Sequence, residues 1–418
     1  MASYGPWRWR GGSADVGVAT DAAATRRMDV STRASVAGTL TEVARAAPRE
    51  GSSVRAPLAP RLDSVDALRG AAIAGMIVVN NPGTWSAVYP PLLHAEWSGW
   101  TYTDTIFPLF LFVAGAAMAL SFGRRAAEGA ARRDLFRHLA IRAAIIVGIG
   151  LALNAIGAAA FHREHLRLPG VLQRIGVCVL ASGAVWLLGG ARASAWAAGI
   201  LLAGYWALMA PWGLDVEGNL AARVDRAVFG VHTWKPAFDP EGLLSTLPAI
   251  ATMLLGTLAG ELLRRSGVSR RTAATLVLWG AAGTAAGLAW GLVFPINKSL
   301  WTSSYAVLMS GLAALTLGAL VEVIDVRSVR AWAAPLLWLG RNAIAAFTLS
   351  TLTAIALIAI RVDDGSGKTR SLWTVIHRSV FDRFADPRLG SLLFALAYLA
   401  IWTAVFGVLY RRRVFIKI

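Results

Sequence analysis

Arg61-Leu62-Asp63-Ser64-Val65-Asp66-Ala67-Leu68-Arg69-Gly70 opens an apolar run that ends at Val79-Asn80-Asn81-Pro82-Gly83. A second run starts at Thr103-Asp104 and continues Thr105-Ile106-Phe107-Pro108-Leu109-Phe110-Leu111-Phe112. The loop between them reads Tyr89-Pro90-Pro91-Leu92-Leu93-His94-Ala95-Glu96-Trp97-Ser98-Gly99-Trp100. Both runs have the length of a membrane-crossing helix, so one imidazole, two amides and two carboxylates meet at a single membrane boundary. Such groups are costly near lipid, and their presence there points to function.

The rest of the chain repeats the pattern. Of 418 residues, 56% are hydrophobic, and mean hydropathy is +0.55. Apolar runs of about 20 residues match a hydrocarbon core roughly 30 Å thick, and the short alternating segments of a barrel are missing. The expected fold is all-α, a polytopic transmembrane bundle of about ten spans. They fall near 66–82, 104–122, 139–158, 170–189, 194–211, 242–263, 272–293, 302–321, 332–360 and 389–410. Residues 1–60, rich in Ala, Arg, Ser, Thr and Gly, read as a disordered cytoplasmic tail ahead of a transmembrane domain over 61–418.

The net charge of +17 is nearly all arginine, with only four lysines. In a membrane protein basic residues gather in cytoplasmic links, so the charge implies no nucleic-acid partner. Arg124, Arg125, Arg132, Arg133 and Arg137 share one link, Arg264, Arg265, Arg270 and Arg271 another, and Arg327 and Arg330 a third. The link 83–103 has no Lys or Arg. Both termini are therefore expected in the cytoplasm and His94 outside, in a multi-pass protein of the cytoplasmic (inner) membrane. The lone Cys178 excludes an intramolecular disulfide and a thiolate metal cluster. No P-loop, His-Glu-x-x-His motif or nucleophile elbow occurs, which argues against an ATP-driven pump, a zinc protease and a serine hydrolase.

A neutral imidazole at His94 can take up a proton and return it, or carry an acyl group. Asn80 either stops the first helix or orients His94 or an oxyanion. Asp104 either caps the second helix or fixes the imidazole tautomer, and the two roles can coexist. Arg69 shares a helix face with Asp66 and either pairs with it or meets an anionic phosphate from the cytoplasm. Arg174 and Arg341 lie within apolar runs, so each faces protein, water or a ligand; Arg174 has Asp104 or Glu241 as candidate partners. Glu241, Asn297, Lys298 and Trp301 lie in outer links, where Asn and Trp suit a sugar and Trp301 equally suits an interfacial anchor. Cys178 reads as a small buried apolar residue.

These segments together resemble the heparan-α-glucosaminide N-acetyltransferase family. The resemblance rests on Arg61–Gly70, Val79-Asn80 and His94–Pro108. Leu168–Gly176, Phe238–Gly242 and Pro295–Trp301 agree with it. It implies ten or eleven helices and acetyl transfer from cytosolic acetyl-CoA to a glucosamine amine or other glycan on the far side. No permanently bound cofactor or metal is implied; the partners are acetyl-CoA, the acceptor and membrane lipids, and a homodimer stays open. His94 takes the place of the family's catalytic histidine and Asn80 that of its helper asparagine. A polar tail stands where the family has an N-terminal lumenal domain, so a short form is expected. Two other classes stay open: a transporter for an amino sugar or related solute, and an O-acyltransferase of surface glycans.

Overall fold

A computed structural model describes residues 61–416, apart from Asp364, Ser366 and Ala385. The tail expected over residues 1–60 lies outside the described residues. The chain forms α1 (Asp63–Asn80), α2 (Tyr102–Ala127), α3 (Arg132–Ala160), α4 (Val171–Met209), α5 (Leu220–Phe229) and α6 (Thr246–Ser266). These are followed by α7 (Arg270–Gly291), α8 (Ser303–Leu320), α9 (Ala334–Gly340), α10 (Ala343–Ala359), α11 (Leu372–Val380) and α12 (Pro387–Arg411). A short antiparallel hairpin, β1 (Arg361–Asp363) with β2 (Thr369–Ser371), lies between α10 and α11.

The all-α membrane bundle expected from the apolar runs is the observed architecture. Among the described residues, seven helices are long and apolar enough to cross a membrane, or eight if the bent pair α9 and α10 is one span. Length and composition therefore do not reach the expected number of about ten. Two features account for the difference. Helix α1 falls outside that count, and its first turns carry Asp63, Asp66 and Arg69. Helix α4 enters it once although it doubles back.

The reversal in α4 follows from two glycines. Gly189 and Gly190 leave helical geometry, and Gly190 has φ +59°, a region that only glycine enters freely. On one side of the break, Arg174 lies 5.1 Å over the Trp301 ring. On the other, Tyr205 Oη donates to the Leu300 carbonyl at 2.6 Å and Ser303 Oγ to the Leu202 carbonyl at 2.7 Å. A straight helix would separate Arg174 from Tyr205 by about 47 Å, so the two halves run back to back.

The expected ninth span is two helices meeting at 72° around Arg341-Asn342. Side chains hold this break. Asn342 Oδ1 accepts from the Ile416 amide at 2.8 Å, and Arg341 reaches Asp63 at 3.2 Å. The start of α1 thus lies at the end of the bundle that holds 325–342 and 410–416. The end of α1 lies at the other, where the Gly83 amide donates to the Ser391 carbonyl at 3.1 Å.

Between the helices, small residues allow close approach. A Cβ on Gly280 or Gly287 would run into the α8 backbone, and one on Gly311 into α7. Packing of this kind replaces the hydrophobic drive that lipid removes. The interior of α1, α2, α6 and α8 buries Ile73, Ile77, Leu111, Met253 and Leu308, and this frame carries the loops described next.

Candidate active site

His94 lies on the loop between α1 and α2, and its position is set by the first turn of α2. Asp104 is the third residue of that helix. Its carboxylate accepts from the Thr101 amide at 3.0 Å, closing a capping box with Thr101. The same carboxylate accepts from the Ala95 amide at 3.0 Å and lies 2.6 Å from His94 Nδ1. Backbone donors already surround it, so Asp104 is the acceptor and His94 Nδ1 carries the proton. That leaves Nε2 as the free basic nitrogen. The Asp104 side chain has no exposed surface, whereas the His94 side chain is 53% exposed. One face of the imidazole is thus anchored and the other is open.

The His94 loop is tied to several distant segments. Trp97 Nε1 donates to the Leu214 carbonyl at 2.7 Å, and its ring meets Phe238 edge-on at 5.2 Å. The Gly99 amide donates to the Ile296 carbonyl at 2.7 Å, beside a bridge between Gly99 and Asn297. Tyr89 Oη donates to Asp386 at 2.6 Å, and Trp373 Nε1 donates to the Pro82 carbonyl at 3.3 Å. Near the end of α1, Val78, Pro82, Tyr89, Leu92, Arg388 and Ser391 line a small surface cleft. Asn80 is exposed at this end of α1 and its side chain makes no hydrogen bond among the described residues, so the structure does not join it to His94. The buried Asn81 turns its amide back to the Ile77 carbonyl at 2.8 Å.

The other predicted site residues separate into two groups. Trp301 is fully buried rather than presented to solvent. Its Nε1 donates to Thr252 Oγ1 at 3.1 Å, and its ring meets Phe107 and Tyr305 edge-on at 5.2 and 5.4 Å. Arg174 is also buried. It donates to the Gly242 carbonyl and to Ser245, and Nε and Nη1 have no hydrogen-bond partner among the described residues. Asn297 is buried and stabilises its own turn, with Oδ1 accepting from the Leu300 amide at 2.9 Å. Lys298 is half-buried on the same turn. These residues belong to the His94 end.

Glu241 does not pair with Arg174. Arg167 takes it, and also grips Asp239 through two bonds of 2.8 and 2.6 Å. Burial would raise the Glu241 carboxyl, but the charges of Arg167, Lys298 and Arg174 hold it below the ordinary carboxylate range. Nearby, Asp225 accepts from the Leu243 amide at 2.8 Å. Burial pushes its carboxyl up to about 6, helped by the charge of Asp239.

Arg69 and Arg341 lie at the opposite end. Asp66 is flanked by Arg61, Arg69 and Arg341 at 2.6, 3.0 and 3.5 Å, and Asp63 by Arg341 and Arg330 at 3.2 and 3.7 Å. Four guanidinium groups over two carboxylates leave a net positive cluster. About eleven residues of α1 separate Arg69 from Asn80, roughly 17 Å. Arg69, Arg174 and Arg341 therefore do not form one group, and Arg174 belongs with His94.

Sequence reasoning missed Arg167, Asp239 and Tyr305. Tyr305 Oη donates to the Asp104 carbonyl at 2.6 Å across 201 residues of chain. Arg167 was visible only as a loop charge. Nothing near it in the sequence marks Asp239 and Glu241 as its partners.

Comparison with known proteins gives a consistent result. The sequence model described as heparan-alpha-glucosaminide N-acetyltransferase, catalytic, matches residues 61–289. That range holds α1, the His94 loop, Asp104, Arg174 and Glu241. The heparan-alpha-glucosaminide N-acetyltransferase of Homo sapiens is 28% identical over 354 residues, covering 69% of this chain and 52% of that protein. The Mus musculus protein of the same name is 28% identical over 356 residues, covering 68% of this chain and 52% of its own length. The chain thus spans about half the length of the curated relatives it matches.

Proposed function

The chain belongs to the heparan-alpha-glucosaminide N-acetyltransferase catalytic family, and on that premise we propose that it moves an acetyl group from acetyl-CoA to the amine of an amino sugar at the His94 end. The observation that carries this reading is the 2.6 Å pair of His94 and Asp104 with Nε2 left open. The amine nitrogen attacks the thioester carbonyl, His94 Nε2 takes the proton that the nitrogen loses, and the thiolate of CoA departs. Asp104 holds the tautomer and stabilises the imidazolium as it forms. An acetyl group carried briefly on Nε2 uses the same nitrogen. Asn80, exposed at the end of α1, is the nearby amide in sequence for the developing oxyanion.

The arginine cluster around Asp66 supports a second part of the proposal. Arg69 and Arg341 meet the phosphates of acetyl-CoA from the cytoplasm, and the thioester reaches through the bundle towards His94. Both termini then lie in the cytoplasm of a bacterial-type inner membrane, in keeping with the arginine-rich links at that end. On the outer side the half-buried Lys298 faces the acceptor, while the buried Glu241, Asn297, Trp301 and Arg174 shape the site from beneath. These steps require no metal or resident cofactor.

The test is incubation of purified protein with labelled acetyl-CoA and glucosamine. Labelled N-acetylglucosamine supports the proposal. Ester-linked label on a glycan would indicate O-acylation. Solute uptake into proteoliposomes without acetyl-CoA would indicate a transporter.

A further inference from the structure

The Asp104 carbonyl occupies an unusual position. In an α-helix it would accept from the amide four residues on. That residue is Pro108, inside α2, which has no amide proton. The carbonyl belongs to the residue that holds His94, so its fate bears on the site. Tyr305, on α8, fills the gap: its phenol donates to this carbonyl at 2.6 Å, and its side chain is fully buried. Water does not reach it to replace the bond.

The tyrosine is itself braced. Trp301 packs edge-on against Tyr305 and against Phe107, one residue before Pro108. Trp301 has φ +50°, an uncommon backbone state for a bulky residue. Its indole is fixed by Thr252 Oγ1, and Arg174 covers its ring. The turn before α8 is thus built to hold two aromatic rings against the first turns of α2.

We propose that Tyr305 is a positioning residue for the His94–Asp104 pair, its phenol taking the place of the backbone amide that Pro108 withholds from the Asp104 carbonyl. This rests on the reading of His94 given above. It assigns Trp301 and Arg174 to the support of that tyrosine rather than to contact with sugar or phosphate.

A double-mutant design tests it. Tyr305→Phe keeps the ring and removes only the donor; Pro108→Ala returns an amide to position 108. With glucosamine and acetyl-CoA as substrates, Tyr305→Phe lowers kcat about 10- to 100-fold, with KM for both substrates changed less than about twofold. Adding Pro108→Ala restores kcat to the level of Pro108→Ala alone. A second readout needs no turnover: the His94 Nδ1 proton, seen by NMR in ¹⁵N-histidine-labelled protein and assigned with His94→Ala. It is slow to exchange in the wild type, exchanges fast in Tyr305→Phe, and slows again in the double variant. Wild-type kcat in Tyr305→Phe, an unchanged Nδ1 proton, or loss of melting temperature without recovery in the double variant overturns the proposal. Full activity in His94→Ala instead overturns the reading of the site, and the proton measurement still decides the role of Tyr305.

Discussion

Replacing Asp104 by Asn is expected to slow acetyl transfer about 30- to 1,000-fold and leave the protein folded. The magnitude comes from the geometry. As His94 gains a proton it becomes a cation 2.6 Å, atom to atom, from the Asp104 carboxylate. The charge centres are then roughly 4 Å apart, worth about 4 kcal/mol at the effective dielectric constant near a protein surface. The imidazole is half exposed, so solvent reduces that to about 2–4 kcal/mol. Each ~1.4 kcal/mol is a factor of ten in rate. An asparagine oxygen still accepts from the amides of Ala95 and Thr101, so the cap weakens by only about 1 kcal/mol; its amide nitrogen then faces His94 Nδ1 and favours the other tautomer, which places the loss of rate at or above the upper end of the expected range. The assay is steady-state transfer from acetyl-CoA to glucosamine, with a melting curve in the same detergent. A variant within threefold of wild type, in a protein inactivated by His94→Ala, would refute the argument that the carboxylate stabilises the imidazolium.

Three further outcomes follow from other parts of the molecule. Arg167→Ala leaves Asp239 and Glu241 buried without their cation, at a cost of about 3–5 kcal/mol. The expected result is a collapsed yield of folded protein or a large drop in melting temperature, and a wild-type melting curve would contradict it. Gly190→Ala forces a Cβ into φ +59°, costing about 1–3 kcal/mol, which a lowered melting temperature reports and an unchanged one denies. Asp225 gives a pH dependence. Its folded carboxyl titrates at about 6, above the ~3.9 of an unfolded aspartate. The folded state therefore binds a proton that the unfolded state releases. The stability this contributes is complete below about pH 4 and is lost as pH rises through about 6. Melting temperature should fall between about pH 4 and pH 6 and level off above it, and Asp225→Asn should flatten that part of the profile. An identical slope in the variant would show that another group is responsible.

The membrane fold was legible because lipid imposes a simple rule on sequence: long apolar runs separated by arginine-rich links. Even the break near residue 190 showed, since the expected spans 170–189 and 194–211 are separated by a short link carrying Arg192. The 72° bend at Arg341-Asn342 did not show, because it is held by Asp63 and by the Ile416 amide, far away in sequence. At the site, the pairing of His94 with Asp104 was readable because the two are ten residues apart and Thr101-Asp104 has the spacing of a capping box. Trp301 read equally as a sugar platform or an interfacial anchor; it is fully buried within the protein, where Phe107, Tyr305 and Arg174 surround it. Arg174 and Glu241 looked like natural partners from charge alone, yet Arg167 arrives from another loop and takes the carboxylate. Local chemistry left a trace in the sequence, while partners supplied across the bundle did not. Pro108 is the exception. A proline four residues after Asp104 announces an unpaired carbonyl, though not the tyrosine that satisfies it.

The central claim is that an anchored imidazole with one open nitrogen performs acetyl transfer at the end of the bundle opposite the Asp66 arginine cluster. Purified wild-type protein and His94→Ala, reconstituted in parallel, should be given labelled acetyl-CoA and glucosamine, with melting curves recorded for both. Labelled N-acetylglucosamine is expected from the wild type and none from His94→Ala, at equal melting temperatures. Equal product from both proteins would contradict the claim.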